Sequence, residues 1–148
     1  FPATLGERGP VILPGDFTEA GGAEATRLLI AGQVPFDAVF CANDMMALGC
    51  MSVLAGAGVA IPDDVGVAGF DDIPLAHYAT PPLTTMKVHI AEIGERAMAG
   101  LLARIRGTGE HPALQILAPE LVVRRSTERG RRNASTPKKY AEQEGRRP

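Results

Sequence analysis

The 148-residue sequence lacks several features that would place it in a specialised class of protein. Its two cysteines, Cys41 and Cys50, are too few for a disulfide framework and have no histidine at zinc-site spacing. No apolar run approaches the roughly 18 residues that cross a bilayer, and the N-terminus lacks the basic and apolar regions of a signal peptide. P-loop, nucleophile-elbow and zinc signatures are also missing. These absences predict a cytoplasmic protein with reduced thiols and neither a metal nor a cofactor.

The composition is that of a globular protein, but its charge is unevenly distributed. Hydrophobic residues make up 45% of the chain and charged residues 22%, which is typical of a soluble domain with a real core. Residues 128–148 hold seven Lys or Arg and three Glu, which leaves eight basic and fourteen acidic residues in the first 127. An acidic body is a poor surface for nucleic acid. The segment 128–148 is predicted to be a disordered basic tail, either a solvated appendage or a nucleic-acid contact.

Strand-like and helix-like segments alternate along the chain. Apolar runs predict strands at 11–13, 37–42, 65–70, 83–88 and 120–125, and apolar periodicity predicts helices at 18–32, 45–57 and 91–106. The pair Asn43-Asp44 suits the start of the second helix, and Gly58 suits its end. This alternation predicts an α/β fold with a parallel sheet flanked by helices.

Three polar or aromatic residues each lie just past the carboxyl end of a predicted strand. These are Phe17, Asn43 and Asp71. Because the carboxyl ends of parallel strands meet at one edge of a sheet, the three side chains are expected to share a crevice. An aromatic face, an amide and a carboxylate together suit a small polar ring. The alternative is structural: Asn43 caps its helix, Asp71 caps a turn and Phe17 belongs to the core.

Two pairs of adjacent acids raise the question of catalysis. The pairs are Asp63-Asp64 and Asp71-Asp72. Neighbouring residues of an extended strand point to opposite faces, so neither pair forms a ready acid/base dyad, and Pro62-Asp63-Asp64 is ordinary turn chemistry. The sequence therefore predicts a protein that is not an enzyme. His77 and Tyr78 follow Asp71 closely enough to be possible ligand-proximal residues.

Five segments of the sequence resemble signature segments of the LacI/GalR family of transcriptional regulators. They are GDFTEAGG at 15–22, AVFCANDMMALG at 38–49, IPDDVGVAGFDD at 61–72, PLTT at 82–85 and LVVRRST at 121–127. They occur in the family's order, and the resemblance covers residues 11–127. Any one of them is weak evidence, whereas five in register are specific.

The resemblance implies a periplasmic-binding-protein-like type I domain, present here mainly as its C-terminal subdomain. On this pattern residues 1–127 form a partial effector-binding domain. Residues 11–82 and 114–127 belong to the C-terminal subdomain, and 83–113 are the hinge crossing and a helix of the N-terminal subdomain. The helix-turn-helix and most of the N-terminal subdomain, including a helix that supplies a basic effector contact, are not in this sequence.

The resemblance also implies residue roles and partners. Phe17 matches the aromatic residue that stacks on the effector, and Asn43 and Asp71 match its polar contacts. Asp44 and Asp72 match signature positions expected to act in capping and scaffolding. The implied partners are a small-molecule effector (sugar, nucleoside or purine-like), a second copy in a homodimer, and operator DNA through the missing helix-turn-helix.

The sequence-based interpretation is thus the effector-binding and dimerisation portion of a repressor-type regulator. A sugar-binding protein of a transporter shares this fold and is the alternative. A third possibility is a truncated chain that does not fold stably, because half of a cleft is missing.

Overall fold

The computed structural model describes residues 10–32, 35–108 and 114–129. In these residues the helices are α1 (Glu19–Ala31), α2 (Asp44–Gly56), α3 (Pro74–Tyr78) and α4 (Ile90–Arg106), and the strands are β1 (Ala38–Phe40), β2 (Gly66–Asp71), β3 (Thr84–Lys87) and β4 (Glu120–Val122). Most of the predicted basic tail, residues 130–148, lies outside the described residues.

The strands form one sheet in the order β1-β2-β3-β4. β1, β2 and β3 pair in parallel, with Phe40 opposite Ala68 and Asp71 opposite Lys87. β4 is antiparallel to β3, with Met86 opposite Leu121. The predicted α/β class is therefore confirmed, with a mixed rather than a wholly parallel sheet.

The first two helices begin at side-chain caps. The Thr18 hydroxyl accepts a hydrogen bond from Gly21 N at 3.0 Å, and Asn43 Oδ1 accepts one from Met46 N at 2.9 Å. Such caps satisfy amide groups that have no partner inside the helix. Both predicted helix starts are confirmed, since α1 and α2 begin one residue after Thr18 and Asn43.

The core lies between α2 and the sheet. α1 packs on α2, and α2 packs on β2. A Cβ on Gly22 would collide with the main chain of Met46, so the absence of a side chain there lets α1 approach α2 closely. The buried apolar residues are Cys41, Met46, Ala47, Cys50, Met51, Leu54, Val65, Val67, Ala76 and Leu83.

Three local predictions were wrong. Residues 11–13 do not form a strand, and Ile12 is 87% exposed, because no neighbouring strand pairs with this segment among the described residues. The segment between β2 and β3, for which the sequence predicted neither a strand nor a helix, contains α3, which starts at Pro74. The last strand ends at Val122 rather than at residue 125, because Thr84 Oγ1 accepts from Arg124 N and donates to Arg124 O, each at 2.8 Å.

α4 differs from the other long helices in having no buried residue. Its apolar side chains Ile93, Met98, Leu101, Leu102 and Ile105 are all exposed. The helix ends at Gly107, which adopts a left-handed conformation at φ 67°. In the described parts of the chain, every helix is too short or too polar to cross a membrane.

Candidate functional site

Phe17 lies at the entry to α1 with its side chain open to solvent. Its φ is 64°, a conformation that costs energy for a residue with a Cβ, and its side chain is 65% exposed. On the preceding residue, Asp16 Oδ1 accepts from Thr18 N at 3.0 Å and from Thr18 Oγ1 at 2.7 Å. These bonds lower the pKa of the Asp16 carboxyl. Phe17 is thus not a core residue, and its turn is held by its polar neighbours.

Asn43 joins the Phe17 turn to α2. Its Oδ1 caps α2, and its Nδ2 donates to Phe17 O at 3.0 Å. The capping role that the sequence left as an alternative is therefore real. Capping leaves the Asn43 amide able to bind another group, because Nδ2 carries a second hydrogen that can be donated. The side chain is half-buried.

Asp71 is the last residue of β2, in an unusual backbone conformation. Asp71 and Asp72 have successive positive φ values of 114° and 58°. A positive φ costs a non-glycine residue about 1–3 kcal/mol, and such a conformation persists only where the surrounding structure holds it. Burial raises the pKa of the Asp71 carboxyl, and the nearby Asp44 carboxylate raises it further.

Asp44 brings Asn43 and Asp71 to the same edge of the sheet. It follows Asn43 directly, is fully buried, and accepts from Thr85 Oγ1 at 2.6 Å and from Ile73 N at 2.9 Å. Gly69 in β2 makes room for it, because a Cβ there would collide with the Asp44 carboxylate. The start of α2 is thus bonded to the loop that follows Asp71.

The same loop is bonded through Arg124 to the segment that follows β4. Arg124 Nη2 donates to Asp72 Oδ1 at 2.6 Å and Arg124 Nη1 donates to Leu83 O at 2.9 Å. Both side chains of this ion pair are largely buried. Sequence reasoning did not find Arg124. The pair Arg124-Arg125 offers no local signal for which arginine faces inward, although Arg125 is exposed.

His77 and Tyr78 lie on the exposed side of α3. Their rings pack edge to face, with centroids 5.3 Å apart, and Tyr78 is 79% exposed. Within the described ranges, neither ring makes a hydrogen bond or ring contact with Phe17, Asn43 or Asp71. An open groove between residues 10–13 and β1 is lined by Phe17 but by neither Asn43 nor Asp71, so it is not the expected crevice.

Cys41 and Cys50 are free and buried beside each other, at the end of β1 and in α2. Hydrogen bonding with Cys50 and burial raise the pKa of the Cys41 thiol, which is therefore protonated at neutral pH. Among the residues that the structure describes, no group of three His, Cys, Asp or Glu side chains could hold a metal ion.

Comparison with known proteins identifies the family. The model of the periplasmic binding protein-like domain matches residues 3–127. Over 115 residues the chain is 38% identical to the HTH-type transcriptional repressor PurR of Photobacterium profundum, covering 78% of this chain and 34% of PurR. Over 120 residues it is 42% identical to the HTH-type transcriptional regulator MalR of Streptomyces coelicolor, with the same two shares. The chain belongs to the LacI/GalR family.

The structure of this LacI/GalR-family chain agrees with a solved relative. A structure described as a complex of the transcriptional regulator CelR with cellobiose superposes with a TM-score of 0.72 and 38% identity, covering 76% of this chain and 34% of that one. The periplasmic-binding-protein-like fold expected from the resemblance is confirmed. The chain spans about a third of the length of the relatives that it matches.

Proposed function

We propose that this chain is the effector-binding portion of a ligand-responsive, repressor-type transcriptional regulator. The observation that carries the proposal is the geometry at one edge of the sheet. Asn43 is bonded to the Phe17 turn, and Asp44 is bonded to the loop that follows Asp71. Family membership supports it, because the relatives are named as transcriptional regulators. The same names give the transporter alternative less support, and we propose no catalytic role.

Each of the three residues offers a different contact to an effector. The exposed Phe17 ring offers an apolar face for stacking on a sugar or base ring. The second N–H of Asn43 Nδ2 can donate to a ring or hydroxyl oxygen, and the Asp71 carboxylate can accept hydroxyl or ring N–H groups. His77 and Tyr78, on exposed α3, are proposed as peripheral contacts only.

The charge of Asp71 favours a neutral ligand that donates hydrogen bonds. Burial raises the pKa of Asp71, and the nearby Asp44 carboxylate raises it further. A second anion in this crevice would add repulsion, whereas hydroxyl groups would stabilise the ionised form. We therefore propose a sugar or a nucleoside- or purine-like effector. The cellobiose-bound relative makes a disaccharide the first compound to test.

Regulation follows from a difference in affinity between two arrangements of the regulator. We propose a cytoplasmic homodimer in which residues 11–82 and 114–127 form one wall of the effector cleft and a second subdomain forms the other. An effector that bridges the cleft stabilises the closed arrangement only by as much as it binds that arrangement better. That bias would reposition the helix-turn-helix segments of the regulator on operator DNA.

Titration calorimetry on the full-length regulator tests the proposal. The panel is cellobiose, lactose, ribose, cytidine and hypoxanthine, and the compound with the tightest binding is carried forward. The substitutions Asp71→Asn and Asn43→Ala should each weaken its affinity by roughly 10- to 100-fold, the effect of losing a hydrogen bond to a charged group or leaving a polar group unpaired. Glu24→Ala, in an exposed surface ion pair with Arg27, is the control and should change nothing.

The proposal fails if the affinity of both site variants equals that of the natural protein while both remain dimeric. It also fails if no compound of the panel binds at millimolar concentration.

A further inference from the structure

The backbone at Asp71, the proposed effector contact, and at Asp72 is strained, so contacts elsewhere in the fold must stabilise it. Asp71 and Asp72 both have positive φ, at 114° and 58°. Without compensating contacts, two such residues in succession would relax to an ordinary extended backbone. The relaxation would turn the Asp71 carboxylate away from the edge of the sheet.

Arg124 supplies a compensating contact from a distant part of the chain. Its guanidinium is held at two points, by Leu83 O at 2.9 Å and by Asp72 Oδ1 at 2.6 Å. A planar guanidinium bonded at two points cannot swing as a lysine ammonium would. The ion pair is largely buried, so water competes with it weakly.

The main chain of Arg124 is itself fixed to the sheet. Thr84 Oγ1 accepts from Arg124 N and donates to Arg124 O, each at 2.8 Å. Two residues later, Ser126 Oγ accepts from Thr84 N at 2.8 Å and donates to Val67 O at 2.6 Å. The arginine therefore projects from a segment that is bonded to both β2 and β3, which makes it a rigid support.

We infer that Arg124 is a positioning residue for the effector site, acting through Asp72 to hold Asp71 in its binding conformation. This inference rests on the proposed function of Asp71 as an effector contact. It gives Asp72, which the sequence suggested was scaffold, a specific role. It also links the loop that follows Asp71 to the segment that enters β3 and to the segment that leaves β4.

The test compares four variants of the full-length regulator. Arg124→Ala removes the ion pair, Asp72→Asn removes its charge at constant size, and Arg124→Lys keeps the charge but loses the second bond. Arg125→Ala, the exposed neighbour, is the matched control. Affinity for the best-binding compound of the panel is measured by calorimetry at a temperature where thermal unfolding curves show every variant to be folded.

The expected result is graded. Arg124→Ala should weaken binding by at least about tenfold, Arg124→Lys by less, and Arg125→Ala not at all. Hydrogen exchange of the peptide over residues 70–76 should quicken in the same order, because the loop opens more often. A purely structural role would lower the melting temperature of Arg124→Ala and leave the affinity of its folded fraction unchanged, which would overturn the inference.

The two proposals fail in different ways. If Asp71→Asn binds as tightly as the natural protein, the site assignment is wrong. If Asp71→Asn weakens binding while Arg124→Ala changes neither affinity nor exchange, only the positioning role is wrong. If no compound of the panel binds, the proposed function fails and the positioning role for an effector fails with it. Unchanged exchange over 70–76 in Arg124→Ala would show in addition that Arg124 does not hold the loop.

Discussion

Helix α4 differs from the edge of the sheet that carries Asn43 and Asp71 beside the Phe17 turn, called the site edge below. The two regions differ in whether their side chains have partners within the fold. At the site edge, the buried polar groups are paired with partners distant in sequence, such as Asp44 with Thr85 and Asp72 with Arg124. α4 has regular amphipathic periodicity and a C-terminal glycine cap, yet none of its residues is buried. The difference shows that periodicity and a cap allow a helix to be predicted locally, whereas the pairings at the site edge depend on residues distant in sequence.

The largest effect on stability is expected when a leucine of the core and a leucine of α4 are each replaced by alanine in the 148-residue chain. Leu54 is fully buried in α2, so Leu54→Ala should lower the free energy of unfolding by roughly 2–5 kcal/mol. Leu101 in α4 is 53% exposed, so Leu101→Ala should cost less than about 0.5 kcal/mol. Urea unfolding measures both. Equal losses would contradict the comparison, and a non-cooperative transition of the natural chain would favour the interpretation that it does not fold stably alone.

The next effect compares acidic residues. Asp44→Ala leaves the hydroxyl of Thr85 and the amide of Ile73 without their acceptor, and should destabilise the domain by about 1–3 kcal/mol. Glu92 in α4 forms an exposed ion pair with Arg96, and Glu92→Ala should cost about 0–0.5 kcal/mol. Thermal unfolding at neutral pH measures the two. An Asp44→Ala protein as stable as Glu92→Ala would show that the buried network does not stabilise the site edge.

The smallest expected effect is a change of stability with pH, which should have opposite signs for the carboxyl groups of Asp71 and Asp16. The pKa of Asp71 is raised above its ordinary value of 3.8, so the folded state keeps this proton to a higher pH than the unfolded chain. Ionisation of Asp71 therefore costs stability. The cost is absent below pH 3.8 and complete above the raised pKa. Asp71→Asn should thus stabilise the domain at pH 7 and have no such effect at pH 3.

Asp16 is the control with the opposite sign. Its pKa is lowered by the hydrogen bonds from Thr18, so its ionised form stabilises the fold above pH 3.8, and that stability is lost as the pH falls through the lowered pKa. Asp16→Asn should destabilise the domain at pH 7. Urea midpoints of both variants between pH 3 and 7 measure the signs, and the same sign for both would contradict the electrostatic account.

Local signals in the sequence predicted much of the fold. Thr18 and Asn43 fixed the starts of α1 and α2 because a capping side chain acts within three residues. The apolar run before Asp71 predicted β2, because a continuous apolar run is typical of a buried strand, and β2 does lie against α2 and beside β3. The mistakes arose where a distant partner decides. Residues 11–13 have strand propensity but no pairing strand among the residues that the structure describes. β4 stops where the Thr84 hydroxyl bonds to the main chain of Arg124.

The candidate site was predictable in part for the same reason. Strand ends predicted that Asn43 and Asp71 lie at one edge. The same argument for Phe17 rested on a strand at 11–13 that does not form, although Asn43 bonds directly to Phe17 O. The roles of Asp44 and Arg124 as supports were not readable, because their partners lie 29 to 52 residues away in sequence. A pattern of residue types cannot specify such pairings without the fold.

A crystal structure of the full-length regulator with its best-binding compound would show whether Phe17, Asn43 and Asp71 contact the effector. The ligand ring should stack on Phe17 within about 4 Å. Asp71 and Asn43 Nδ2 should also lie within about 3.2 Å of the ligand's polar atoms, with the Arg124–Asp72 ion pair intact. A ligand seated elsewhere, or one that touches neither Asp71 nor Asn43, would contradict this assignment.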